Sequence, residues 1–546
     1  DYSVILPSNW YTSANKTDNY SVQLFSDWTE NFSTELKVGY QKYNVNNGAA
    51  VNQPEVFACF TAVAADCNAT PQNSRAPWVI GGEDRFRHEN SIASKRISGT
   101  LSGTYYAGDH VIKGGVDFVS NEVGNVFGSL LNGSYGFYDK NGNGTPVDEI
   151  LAKNYGYFTK NYLPAGVSLA DSAGTWKFTQ VSPFLQDTWQ ATDNLSLVFG
   201  VRVNLPKADH APPVALQSAT NTAPGATPGT PVWESRFGYT SASTLGSKNK
   251  VFEPRFAFNY TFDSERQMQL RGGVGLFQTV APYVWLTNPY ANNGVVSPKG
   301  YNGTNPVADP FSADPGSQPG PTNVQAGVCA TNARCTIDVL DPDFKMPGAW
   351  KFALGFDAEL PLWGLTGSVE YQHIKSENAI DYKLPNIGTP NGKMPDGRDS
   401  YWTAGYGSSK NNGSFRELDY QSTLLTNTNK GKSDSITFSL SKAMSNGFRG
   451  NFSITQTHST DVTPGTASRA ISNYNYVARV NPNDSIESRA RFDVPLSVKA
   501  SMSWEHAFFG DYKTTVSVYY NGRDGLPYSW TFGTDADFFG GDGDLD

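Results

Sequence analysis

Asn194 to Pro206 reads NLSLVFGVRVNLP, and its side chains sort by parity. Leu195, Leu197, Phe199, Val201, Val203 and Leu205 share one face of an extended chain, with Ser196, Gly200, Arg202 and Asn204 opposite, because successive strand side chains point to opposite sides. An apolar face backed by one that carries an arginine suits a wall between hydrocarbon and water better than a sheet packed on a protein core. The stretch predicts a transmembrane β-strand.

Composition agrees. Across 546 residues the mean hydropathy is −0.44, and no run approaches the roughly 18 apolar residues a spanning helix requires. Aromatics reach 13% and Gly numbers 53, which fits alternating strands, short turns and interfacial ring belts. A net charge of −9 excludes nucleic acid as a partner, since its readers carry basic stripes. The chain opens at Asp1 with no initiator Met, basic segment or apolar leader, so a processed or truncated product is expected.

The alternating pattern recurs as hairpins. Tyr20 to Phe25 turns near Trp28 and Asn31 and returns through Leu36, Val38 and Tyr40. Ile97, Leu101 and Tyr105 turn at Ala107 to Asp109 into Ile112, Val116 and Phe118. Trp176, Phe178 and Phe184 precede the opening strand, with the alternation slipping between Pro183 and Trp189. Four more hairpins turn at Phe262 to Glu265, Pro361 to Gly364, Met444 to Gly447 and Ala507 to Asp511. Every short turn alternates with a connection several times longer, as in outer-membrane barrels, whose periplasmic turns are short and outer loops long. Trp28, Trp189, Trp363 and Trp504 fall at or beside the short turns, where a ring belt belongs. The expectation is an all-β chain: a transmembrane antiparallel up-and-down β-barrel with long extracellular loops, of which about 14 strands are present. Completing it to 22 strands would fit the large plugged class.

Several segments resemble TonB-dependent outer-membrane transporters: GDHVIKGGVDF at Gly108 to Phe118, SPFLQDTWQATDNLSLVFGVRVNLP at Ser182 to Pro206, and EPRFAFNYTF at Glu253 to Phe262 with QLRGGVGLF following. A narrower likeness is to the Oar-like subgroup, whose barrels follow a carboxypeptidase-regulatory-like domain. It runs through Gln269 to Gly294, FKMPGAWKFALGFDAELP at Phe344 to Pro361, and NGRDGLPYSWTFG at Asn521 to Gly533. The resemblance implies a 22-stranded barrel of a Gram-negative outer membrane, plugged from its N-terminal side and energised by the TonB complex. On that reading residues 1–546 are the barrel domain without the plug, the N-terminal domain or the barrel's C-terminal end. The function implied is passage of a bulky ligand, with a peptide or protein as candidates, through the plugged barrel. A passive porin and a surface adhesion or scaffolding barrel are the alternatives.

Candidate sites lie in the loops and the lumen. The six His are scattered and there is no nucleophile elbow or phosphate loop, so no enzyme is expected. Four cysteines fall in two close pairs, Cys59 with Cys67 and Cys329 with Cys335. Two loop disulfides in an oxidising compartment are the simplest expectation; free thiols or zinc are the alternatives, and no CxxC or His pair supports zinc. Loop aromatics Tyr138, Tyr157, Trp285, Tyr290 and Trp402 are candidates for ligand contact, or for packing loop on loop. No cofactor is required, but calcium is a candidate at two places. Asp139, Asn141 and Asn143 place oxygens at alternate positions of a tight turn, with Glu149 one residue early for an EF-hand, while Asp542, Asp544 and Asp546 crowd carboxylates at the chain end. Solvated acidic turns are the alternative. Arg202, Arg255, Arg271, Asp357, Glu359 and Arg449 face inward as a lumen of mixed sign.

Overall fold

The computed structural model describes residues 4–63, 67, 76–219, 227–320, 327–329, 335–390, 392–393, 396–401, 422–475, 477 and 479–529. Fourteen long strands form its wall: β1 (Tyr11–Thr29), β2 (Phe32–Ala49), β3 (Asn90–Ala107), β4 (His110–Phe127), β5 (Trp176–Thr192), β6 (Leu195–Ala208) and β7 (Val251–Thr261) make the first half. The second half is β8 (Met268–Gln278), β9 (Gly348–Glu359), β10 (Leu365–Glu377), β11 (Lys432–Ser445), β12 (Phe448–Asp461), β13 (Leu496–Phe509) and β14 (Tyr512–Arg523). Each pairs antiparallel with its neighbour in sequence, so the sheet is a strict up-and-down meander, with the short strand Ser488–Arg489 added beside β12. The path ends on β1 and β14, which are not paired with each other among the described residues.

Why the chain folds back where it does is local chemistry. At Asn446-Gly447 both residues take positive φ, 51° and 77°, the conformation a two-residue turn needs to match the twist of its strands, and Asn-Gly adopts it at least cost. Pairing is continuous through β5 from Phe184 to Gln190, with a register shift only between Gln190 and Thr192. The slip expected between Pro183 and Trp189 is therefore absent. Phe178 and Phe184 simply sit on the inner face, where Phe184 pairs with Arg202 and Gly115, and a Cβ at Gly115 would come within 2.9 Å of the Phe184 ring.

One face of the wall is apolar and, among the described residues, has no protein against it. Leu101 opposes Leu36 and Val116, Phe199 opposes Phe256, and Leu354 opposes Tyr371, and Leu101, Phe199 and Leu354 are exposed in the chain alone. Trp28 and Trp363 are exposed beside the short turns, and Trp189 and Trp504 stack on His110 and His506 at 5.5 Å each, completing the ring belt.

The long connections are themselves folded. A six-stranded sheet in the spatial order Val4–Ile5, Trp78–Gly81, Glu55–Cys59, Ser134–Tyr138, Tyr157–Tyr162, Lys299–Gly303 joins three loops. A buried cluster spanning the rest includes Trp176, Phe178, Leu286, Tyr290, Phe344, Tyr382 and Tyr474. Together these form a packed cap on the side away from the short turns.

Candidate functional site

Two surfaces carry polar side chains in quantity: the inner wall and the cap above it. On the inner wall cross-strand pairing sets the contacts. Arg202 on β6 reaches Asp117 on β4, lies 2.9 Å from Asn204 Oδ1 and stands 3.7 Å from Glu253 on β7, while Thr100 donates to Asp117 at 2.6 Å. Arg271 on β8 bridges Asp357 at 2.9 Å and Glu370 at 2.7 Å. A Cβ at Gly355 would lie 2.9 Å from the Arg271 Cζ, so only glycine leaves room for the guanidinium between those two carboxylates. Arg255 lies across Gly200 in the same way and over the Phe277 ring at 5.5 Å. Glu359 and Arg449 sit at exposed positions close to the short turns. Of the six lumen residues named from the sequence, the structure gathers Arg271 and Asp357 into one network and places Arg202 in a second.

The cap is held by buried polar clasps. Glu55, 1% exposed, accepts from the Arg85 guanidinium and, at 2.8 Å, from the Ser134 hydroxyl. Asp381, fully buried, faces Lys383 at 3.3 Å and Arg479 at 3.6 Å and accepts from Ser485. Such pairs are costly to break singly, because each leaves an uncompensated buried charge.

One clasp holds two opposed titrations, at Glu83 and His88. Burial pushes the Glu83 carboxyl up to about 7, while Asn132 Nδ2 donates to it at 2.6 Å and Asp84 and Glu89 add like charge. His88, whose ring touches the Glu83 carbonyl and accepts from the Asn132 amide, is pushed down to about 4 by its own burial. A carboxyl whose folded pKa is raised stabilises fully below its unfolded value and loses that contribution as pH rises through the folded one. The buried neutral His88 works the other way over about pH 4 to 6.5, so protection of this loop by hydrogen exchange is expected to change little through that window, and Glu83→Gln to make it rise with pH. An unchanged slope in the variant would place the titration elsewhere.

The loop aromatics do not converge on one opening. Tyr290 is 5% exposed, stacked 5.0 Å from Trp176 with its hydroxyl 2.7 Å from Thr244, so the ring is core and not presented to solvent. Trp285 donates to the Ala467 carbonyl at 2.7 Å, tying one loop to another. Tyr157 packs on Phe57 and Tyr138 lies beneath Lys140, both in the six-stranded sheet. Trp402 lies outside the described residues, as do Asp542, Asp544 and Asp546.

At the other calcium candidate, Asp139 accepts from the amides of Gly142, Asn143 and Gly144 at 2.7, 3.2 and 2.7 Å. Asn141 and Asn143 close successive turns with their own side chains. Glu149 accepts from the Lys140 amide through one oxygen and leaves the other buried without a hydrogen bond. Among the described residues no three His, Cys, Asp or Glu are arranged to hold a metal ion. Cys329 and Cys335 form the expected disulfide. Cys59 and Cys67 are not joined in a disulfide but meet as thiols, a correction to the second expected bridge. They are buried against Phe57, and contact with Cys59 together with burial pushes the Cys67 thiol up, so both pack as small apolar groups.

What sequence reasoning missed is the cap as a folded body. Its signals were short apolar runs such as EVFAC, WVIG and SYGFY, too brief to show a period.

A meander with an unpartnered apolar outside, a charged inside and long folded loops defines an integral outer-membrane barrel. The chain matches the outer membrane beta barrel domain over residues 3–535 and belongs to that family. Its place is the outer membrane of a Gram-negative bacterium. No curated protein matches it at a significant level. Among solved structures it is similar to the outer membrane transporter YddB from Escherichia coli, at 10% identity and a TM-score of 0.48, covering 94% of this chain and 56% of that one. It is similar also to the ferric enterobactin receptor PfeA from Pseudomonas aeruginosa, at 11% identity and a TM-score of 0.47, covering 95% and 50%. A third is the ferric-catecholate import receptor Fiu from E. coli, at 13% identity and a TM-score of 0.43, covering 91% and 52%. The chain thus spans about half the length of the solved receptors it matches.

Proposed function

We propose that the chain is the wall and outer cap of a TonB-dependent transporter, Oar-like in type, that moves a bulky ligand across the outer membrane through a plugged lumen. The observation that carries this reading is the open path of fourteen strands. In lipid, every backbone group must find a partner within the protein, so β1 and β14 cannot remain edges, and on this reading further strands close the wall to 22. Barrels that wide need a plug to keep the membrane sealed. The inner ion networks at Arg202 and Arg271 then offer a plug fixed polar contacts, and the cap offers the ligand its first surface.

Conductance of the full-length protein in a planar bilayer tests this without knowing the ligand. The expected record is silent, and deletion of the plug opens a large, steady conductance; a full-length protein that conducts unaided is a porin. Binding of the periplasmic domain of TonB to the full-length protein separates a transporter from an adhesion barrel, which has no use for that contact.

A further inference from the structure

The outward face changes character abruptly above the apolar band. On β2 the last apolar outward residue, Tyr40, is followed on the same face by Lys42; on β3 Ile97 is preceded by Lys95. Pairing sets these residues in one row across five strands, Asp18 on β1, Lys42, Lys95, Glu122 on β4 and Lys177 on β5. Lys16 stands one step above Asp18, on the same face.

Two features of this row call for an anion. Lys42 and Lys95 are directly opposite one another, an arrangement that costs stability when nothing lies between the ammonium groups. The carboxylates present are already engaged, Glu122 with Lys95 at 3.4 Å and Asp18 with Lys16 at 3.7 Å, and four lysines outnumber them. Immediately above the row is a cavity of about 150 Å³, lined by Asn44, Ser91, Lys95, Glu122, Gly124 and Thr175 among others, so that its one carboxylate is the one already paired with Lys95. Small side chains make it: Asn44 opposes Ala93, Ala93 opposes Gly124, and a Cβ on Gly124 would come within 2.6 Å of the Thr175 hydroxyl oxygen.

The row and the cavity lie on the lipid side, at the end of the wall that carries the long loops, which is the outer leaflet. We propose that this patch binds the phosphorylated headgroup of an outer-leaflet glycolipid, its phosphate between Lys42 and Lys95 and its polar sugar in the cavity. Lysine rows beside the membrane attract anionic headgroups in this way, and the outer face here supplies both charge and a recess. The inference rests on the membrane orientation and is independent of what the lumen carries.

Native mass spectrometry of the purified full-length protein tests it, with diphosphorylated lipid A, the same lipid with its phosphates removed, and inorganic phosphate as probes. The diphosphorylated lipid is expected to survive detergent exchange and the dephosphorylated lipid to be lost. A Lys42→Gln, Lys95→Gln variant should retain the lipid at least tenfold less than wild type, and Lys42→Arg, Lys95→Arg should retain it. Equal retention of both lipids by the wild type overturns the proposal, as does displacement by millimolar inorganic phosphate, which would mark a simple anion site. Should the glutamine variant fail to fold, the wild-type comparison of the two lipids decides alone.

Discussion

Replacing Leu101 with arginine is expected to destabilise the folded barrel by roughly 2–4 kcal/mol, while lysine at the preceding position, Thr100, costs little. The two side chains are neighbours on β3 and point to opposite sides of one wall. Leu101 is 54% exposed in the chain alone and its partners across the sheet, Leu36 and Val116, are equally apolar, so an arginine there has no anion within reach and hydrocarbon all round. Lysine at position 100 points into the wet lumen between Lys37 and Asp117, where the carboxylate offsets the like charge opposite. Folding titrations of the full-length protein into lipid vesicles would read the difference. Equal costs at both positions would mean that the outward face is not in lipid, and the membrane reading would go with it.

That contrast works because the wall is the part of the fold that was legible in sequence. A strand of ten or more residues with a lipid side and a water side writes its period into the chain, and Asn446-Gly447 marks a turn by itself. All seven hairpins lie where the alternation places them. The misreading at β5 has the same origin, since Phe178 and Phe184 are apolar residues on the polar face and imitate a shift of register. Arg271 could be assigned to the lumen by parity, but its two carboxylate partners come from β9 and β10, some 86 and 99 residues away in sequence, and nothing local announces them. Nor could the cap be read, because its strands of two to six residues pair across different loops and are stabilised by non-local contacts. Tyr290 looks like a ligand-facing ring only until Trp176 is found stacked against it.

Trp176 is accordingly where the cap should be most vulnerable. It stands at the first position of β5, 1% exposed, and donates from its indole to Thr287 at 2.8 Å while stacking on Tyr290 with the ring planes 4° apart. Both partners lie on the helix Tyr283–Ala291, which carries the connection between β8 and β9. Trp176→Ala removes the stack, opens a cavity and leaves the Thr287 hydroxyl without its donor, for an expected loss of about 3–5 kcal/mol. The loss should fall on the cap and spare the wall, because the ladder of β5 on β4 continues through backbone groups that the substitution does not touch. Limited proteolysis of the full-length protein in detergent should then cut within 279–347 at much lower protease concentration than in wild type, while heat-dependent mobility on SDS gels, which reports the barrel, stays the same. Trp176→Phe keeps part of the stack but not the hydrogen bond, and should fall between the two. A variant whose loops resist protease as well as wild type would show that the helix is held by something other than this contact, and that the cap is not a single packed body.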